Sequence, residues 1–212
     1  MKRPYIIINC AMSIDGKIAL PRKKQARISS EEDMKRVHKL RSQVDAILVG
    51  IGTIISDNPK LTVKKEYVKK AKNPIRIVLD SYFRLPENAE VLSPDAKTIV
   101  VTTCKEYKKG LLEVIKCGEG EKVDIEKLMG ILYDRGIKKL LVEGGSTIIW
   151  EFLSKHLFNE LHVYIAPFVI GGDAPTMAGG EGIKSIEEAI KLQIFAIEKY
   201  GEGIVLKFIP KQ

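Results

Sequence analysis

Asp45–Lys64, DAILVGIGTIISDNPKLTVK, joins an apolar run to a glycine turn in the way of an α/β fold. Ala46–Val49 is apolar on both faces, as in a central strand of a mainly parallel sheet. The run ends in Gly50-Ile51-Gly52-Thr53, where small residues let the backbone approach a ligand closely. A helical turn opening near Thr53 offers free amides and a hydroxyl to an anion. Asp57-Asn58-Pro59 is a turn by composition. The bland alternative is a strand, a glycine turn and a surface loop with no ligand. The Rossmann fingerprint is absent: Gly50-x-Gly52 lacks its third glycine and the later acidic residue, and no Walker A motif occurs.

On either side of this stretch, further Val- and Ile-rich runs read as strands: Tyr5–Cys10, Ile75–Leu79, Thr98–Thr102, Lys139–Val142 and Leu161–Ile170. Leu192–Tyr200 and Ile204–Ile209 flank Gly201-Glu202-Gly203 and predict an antiparallel C-terminal hairpin. Helices are signalled between strands. Ser29-x-x-Glu32 is a capping box opening a helix to about Gln43. Asp124 caps a second, closed by Gly136. A third runs from Gly145 through Trp150 to about Lys155, and Ser185-x-x-Glu188 caps a short fourth. The lysine-rich segment Asn58–Asn73 reads as a solvated loop. The expectation is one α/β domain over residues 1–212, a mixed, mainly parallel central sheet with flanking helices.

Lys138–Leu153, KKLLVEGGSTIIWEFL, is the second stretch that can carry chemistry. Paired glycines before a helix N-terminus suit phosphate, and Glu143 stands at a strand end, where α/β proteins place ligands. A tight turn with a helix-start charge is the alternative. Ala11–Ala19, AMSIDGKIA, carries an Asp-Gly turn signal and reads equally as a plain hairpin turn. Arg41 and Lys64 are candidates for a phosphate, though each alone also reads as a solvated charge. His38 reads as helix surface, Trp150 as core, and Cys10, Cys104 and Cys117 as buried small apolar residues.

The odd cysteine count and absence of a CxxC pair argue against a disulfide framework and for a reducing cytoplasm. Three scattered histidines give no metal-ligand spacing. No apolar run reaches the roughly 18 residues of a membrane span. The formal charge of +8 fits an anionic substrate and cofactor as well as a nucleic acid. Acidic residues are interleaved with the basic ones and no RNP-like aromatic strand occurs, so no nucleic-acid partner is expected.

Together, AMSIDGKIA, RSQVDAILVGIGTIISDNPKLT, PIRIVLDSYFRLP, LLVEGG and IAPFVIGG resemble the pyrimidine reductases of riboflavin biosynthesis. These include the stand-alone archaeal and fungal enzymes and the reductase half of the bacterial deaminase–reductase. The resemblance implies a dihydrofolate-reductase-like fold, a homodimer, and NADPH as hydride donor, with NADH the alternative. It implies cofactor contacts from Ala11, Thr53, Asp57, Ser81, Tyr82, Phe83 and Arg84, with Arg84 reading an adenosine 2′-phosphate. It places Gly144, Gly145, Ser146, Thr147 and Ile148 around the pyrophosphate. Gln25, Arg41, Leu61, Lys64 and Glu143 would line the substrate pocket, with Glu143 and Asn9 as the catalytic candidates. The family often has arginine where Lys64 stands, and bacterial members often have lysine at Asn9. The chain lacks the H-x-E and P-C-x-x-C of a zinc deaminase. The expected substrate is therefore 2,5-diamino-6-ribosylamino-4(3H)-pyrimidinone 5′-phosphate, with the deaminated uracil form as the alternative. Dihydrofolate reductase fits less well, because Pro21–Gln25 is basic where that family places a carboxylate.

Overall fold

The computed structural model describes residues 2–21 and 26–211. They form two compact units, each drawn from separate parts of the chain. The first takes in the N-terminal residues to Tyr5 and Val37–Leu141; the second takes in Ile6–Arg36 and everything from Val142 onward.

The first unit is a mainly parallel sheet. Its strands β2 (Ala46–Gly50), β3 (Ile75–Leu79), β4 (Thr98–Thr102) and β6 (Leu112–Lys116) pair in parallel. With β5 (Tyr107–Lys109) and β7 (Lys139–Val142) the order is β5-β6-β4-β3-β2-β7. Every residue of β2 and β4 is buried, as their unbroken apolar runs require. β5 pairs antiparallel to β6 around Gly110, whose φ of +58° suits glycine. The apolar alternation of these strands is too weak to reveal this short hairpin from sequence. Helix α2 (Ile51–Asp57) follows β2 at once. Helix α3 (Ile125–Asp134) is capped by the Asp124 carboxylate, which accepts from the Lys127 amide at 2.9 Å. Its Leu128, Met129 and Leu132 are fully buried, each stabilising the fold by roughly 1.5–3 kcal/mol. Asp45 accepts from the amides of Lys138 and Lys139, both at 2.8 Å, and so fixes where β7 begins.

In the second unit β1 (Tyr5–Ser13) pairs in parallel with β8 (Glu160–Ala166). The expected hairpin is present: β9 (Leu192–Tyr200) turns through Gly201 into β10 (Gly203–Pro210), which pairs antiparallel to β8. The order is β1-β8-β10-β9. β8 ends at Ala166, before Pro167, not at Ile170. It lies between β1 and β10 and is therefore an inner strand. Helix α4 (Ser146–Ser154) follows β7, with Ile149 and Phe152 fully buried. Helix α1 (Glu31–Arg41), which belongs to this unit as far as Arg36 and to the first unit from Val37, starts one residue later than the capping box implied: Ser30, not Ser29, accepts from the Asp33 amide at 3.1 Å. The fourth expected helix is a single 3₁₀ turn at Ile186–Glu188.

Candidate active site

In the first unit the expected residues sit beyond the carboxyl ends of parallel strands, where α/β folds place ligands. Thr53 and Asp57 lie on α2 and are half-buried. Asn58 then takes a left-handed conformation, φ 43°, and its side chain accepts from the Glu90 amide at 2.8 Å.

Ser81-Tyr82-Phe83-Arg84 forms a turn after β3, and Asp80 organises it. Asp80 is fully buried. Its backbone oxygen accepts from the Phe83 amide at 3.0 Å, and Oδ2 accepts from the Leu85 amide at 2.9 Å. Phe83 adopts φ 54°, a left-handed strain that those bonds hold in place. The turn leaves Tyr82 and Arg84 exposed, with the guanidinium 5.9 Å from the tyrosine ring centre. Arg84 Nε stands 3.6 Å from Asp80 Oδ1, too far for a hydrogen bond, and that buried oxygen has no hydrogen-bond partner among the described residues. Burial pushes the Asp80 carboxyl up, against the pull of the Arg84 and Leu85 amides and the Arg84 charge. Sequence reasoning passed over Asp80. The available signal was a carboxylate directly after an apolar strand and before a turn.

Arg41, Leu61 and Lys64 also lie in the first unit. Arg41 donates to the Thr62 carbonyl at 3.1 Å. Leu61 is buried with φ 51°, a conformation a branched apolar residue rarely takes. With Leu61 and Val63 both buried, Asn58–Asn73 is not a plain solvated loop. Lys64 is exposed, 3.4 Å from Glu66. His38 is only 2% exposed, so its reading as helix surface was wrong. Cys104 is exposed, whereas Cys10 and Cys117 are buried as expected. Gln25 lies outside the described residues.

The second unit holds Asn9, Ala11 and Glu143–Ile148. Asn9 is buried on β1, and its Oδ1 accepts from Arg36 Nη2 at 2.8 Å. Arg36 Nε donates to the fully buried Asp33 at 2.8 Å, and its guanidinium lies 5.7 Å from the Tyr200 ring centre. The Arg36 and Asp33 pairing was missed from sequence, although its spacing of three on one helix is a recognisable signal. Beside them burial pushes the Cys10 thiol up to about 12, so it is not a nucleophile at neutral pH. Across the ladder from Asn9 stands His162, whose ring is 2.6 Å from Glu160. Burial pushes His162 down, with Glu160 opposing.

Glu143 is half-buried just past the end of β7. Gly144 and Gly145 take φ of 136° and 70°, values that require glycine. Gly145 caps α4 without a side chain, and Thr147 is exposed in the first turn. A bare glycine cap with hydroxyl residues after it is a fitting cradle for a phosphate.

A family model described as the RibD C-terminal domain matches residues 4–206. The chain belongs to that family. It is 40% identical to a curated reductase of Archaeoglobus fulgidus over 96% of this chain and 97% of that protein. That relative is named 2,5-diamino-6-ribosylamino-4(3H)-pyrimidinone 5′-phosphate reductase, as is one from Methanothermobacter thermautotrophicus, 39% identical over 99% of both chains. Among solved structures, a Thermotoga maritima deaminase/reductase superposes with TM-score 0.86 at 27% identity. It matches 99% of this chain, which spans 57% of that longer one. A riboflavin biosynthesis reductase of Saccharomyces cerevisiae superposes with TM-score 0.81 at 23% identity, covering 99% of this chain and 90% of that one, and bears on the fold alone.

Proposed function

We propose that this chain reduces the ribosyl group of 2,5-diamino-6-ribosylamino-4(3H)-pyrimidinone 5′-phosphate to the ribitylamino product, in the cytoplasm, with NADPH as hydride donor. The observation that carries the reading is near-complete mutual coverage, at about 40% identity, with reductases of that name. The match over residues 4–206 runs through both units and supports treating them as one reductase domain.

The residues fit the cofactor. In the first unit the exposed Arg84 and Tyr82 suit an adenosine 2′-phosphate and its base, with Ser81 and Phe83 in the same turn and Thr53 and Asp57 on α2. In the second unit Gly144–Ile148 suits a pyrophosphate, and Ala11 is small enough for close approach. NADPH, when bound, supplies the hydride.

The chain's own residues move protons and orient the substrate. Opening the ribosylamine ring to the imine takes a proton from the exocyclic nitrogen and delivers one to the ring oxygen. Glu143, a carboxylate at a strand end, carries that proton. C1′ then accepts hydride, and a proton to nitrogen completes the ribitylamine. With Oδ1 taken by Arg36, Asn9 has Nδ2 to offer the substrate as a donor. Arg41 and Lys64 hold the 5′-phosphate, and Leu61 and Gln25 join them by resemblance.

The test is NADPH oxidation followed by absorbance with the diamino substrate, the deaminated uracil analogue and dihydrofolate in parallel. Turnover of the diamino compound is expected. Preference for the deaminated compound would overturn the substrate assignment, and turnover of dihydrofolate alone would overturn the family reaction.

We also propose a second copy of this chain as its partner, docked through β9. This nine-residue strand pairs with β10 on one side and ends the strand order on the other. It exposes Ile194, Phe195 and Ile197, an edge that natural proteins cover. Antiparallel pairing about Ala196 would set Phe195 opposite Ile197 and Ile194 opposite Glu198, the same patch on both copies as a two-fold interface requires. Light scattering should give twice the 23.7 kDa chain mass and Ile197→Lys half of that; a monomeric wild type would sink the proposal.

A further inference from the structure

The segment that carries Lys64 is gripped from one side by two residues of α1. His38 and Arg41 are three apart, hence on one helix face. Arg41 donates to the Thr62 carbonyl at 3.1 Å. His38 does the reverse: its Nδ1 accepts the Lys64 amide at 3.2 Å. The Lys64 carbonyl in turn accepts from the Tyr67 and Val68 amides, both at 3.1 Å. Lys64 is therefore fixed through its main chain on both sides, while its side chain is exposed. The Tyr67 ring completes the arrangement, 5.2 Å from the His38 ring and 5.4 Å from Lys64 Nζ.

An exposed lysine is normally a mobile point charge, and a single ammonium reads phosphate weakly. Anchoring its backbone removes part of the freedom lost on binding. We propose that His38 is a positioning residue for the substrate's 5′-phosphate, acting as the acceptor that sets the reach of Lys64. The proposal rests on the reading of Lys64 as a phosphate ligand given above. The chemistry fits neutral histidine. Nδ1 accepts only when unprotonated, and a ring 2% exposed has little room for another acceptor to replace it. Asparagine places its Oδ1 close to where Nδ1 stands; phenylalanine fills the space but accepts nothing.

The experiment uses ribose 5-phosphate as probe, with ribose as its control, and reads affinity by calorimetry. His38→Phe is expected to weaken ribose 5-phosphate binding about tenfold, as is Lys64→Ala. His38→Asn should retain most of the affinity. The double variant His38→Phe/Lys64→Ala should bind no more weakly than Lys64→Ala alone, because both changes remove the same contact. In turnover, His38→Phe should raise KM for the phosphorylated substrate with kcat changed less than twofold. Unchanged affinity in His38→Phe would overturn the proposal. So would equal losses in His38→Asn and His38→Phe, additive losses in the double variant, or failure of the wild-type protein to bind ribose 5-phosphate. Binding of the sugar phosphate without any turnover of the pyrimidinone would instead count against the proposed reaction.

Discussion

Arg76 in the first unit and Arg36 in the second each carry a positive charge out of water, and they do so in opposite ways. Arg76 is fully buried on β3, and among the described residues no carboxylate bonds it. Its donors go to Thr98 Oγ1 and Ser93 Oγ, each at 3.0 Å, and to the Ser93 and Ala96 carbonyls, both at 2.5 Å. A longer contact of 3.4 Å reaches the Lys60 carbonyl. Burial pulls its pKa down, with Asp95 opposing, yet a guanidinium stays charged. Arg36 instead pairs with a buried carboxylate, Asp33, and spends one further donor on Asn9. The first arginine is an architectural clamp on main-chain loops. The second is half of a removable pair beside a candidate catalytic residue.

That difference predicts different mutational behaviour, and the largest effect belongs to Arg76. Arg76→Met removes every donor at once and leaves main-chain carbonyls unpaired inside the protein. Urea unfolding should show a loss of about 3–5 kcal/mol. Arg76→Lys should recover only part, since an ammonium cannot reproduce the planar fork. A loss under about 1 kcal/mol would show that the loops hold themselves and that the clamp is idle.

Next comes the pair. Arg36→Met alone strands Asp33, and Asp33→Leu alone strands Arg36; each should cost about 3 kcal/mol. Changing both together should cost much less than either, because neither charge is then left alone in the interior. No such rescue exists for Arg76, whose partners include carbonyls that cannot be mutated away. The double variant should nevertheless lose activity, because Asn9 loses the contact that orients its amide. Additive stability losses would mean the two charges are not coupled, and the comparison would fail.

How much of this was legible in the sequence follows the same division. The apolar runs of β2, β3, β4 and β7 announced themselves because burial on both faces leaves no polar interruption. The exception, Arg76 inside β3, was invisible as a buried residue, because the carbonyls that hold it lie far along the chain. The glycines at 144 and 145 were readable, since only glycine takes those φ values freely. His38 was misread because a lone histidine on a polar helix says nothing about a loop 26 residues away that donates to it. Asp80 was missed for a similar reason: the amides it receives belong to a turn of its own making, which composition does not reveal. The β5–β6 hairpin was missed because its strands, YKK and LEVIK, carry too little apolar alternation.

Asp80 and Arg84 invert the buried-arginine case, with the carboxylate inside and the guanidinium outside. Because burial raises the Asp80 pKa in the folded state, its contribution favours the fold while the group is protonated, below the ordinary aspartate value of about 3.9. That contribution is lost as pH rises through the folded-state value. Asp80→Asn keeps an acceptor for the Leu85 amide and removes the titration. Relative to wild type, the variant should gain stability between about pH 4 and pH 7, by no more than about 1 kcal/mol. Urea midpoints at the two pH values decide this. A relative loss for Asp80→Asn as pH rises would mean that attraction to Arg84 outweighs burial.

The smallest effect concerns Asp15, an exposed carboxylate whose pKa is lowered to about 2, chiefly by the Ser13 hydroxyl at 2.6 Å. The Ile170 and Gly171 amides add to this at 3.1 and 2.7 Å, so Asp15 ties the turn after β1 to the segment after β8. The sign is opposite to that of Asp80. A lowered folded-state pKa gives stability that is present above the ordinary aspartate value and disappears as pH falls from about 4 towards 2. Asp15→Asn should therefore be less stable than wild type at neutral pH, and the gap should close near pH 2. Ser13→Ala removes the largest cause and should narrow that window from its acid side. Hydrogen exchange at the Ile170 and Gly171 amides reads the bonds directly, and both should exchange faster in Asp15→Asn at neutral pH. Unchanged exchange there would show that the segment is held by other contacts, such as the pairing of Lys17 with Thr176, and that the carboxylate merely reports the turn.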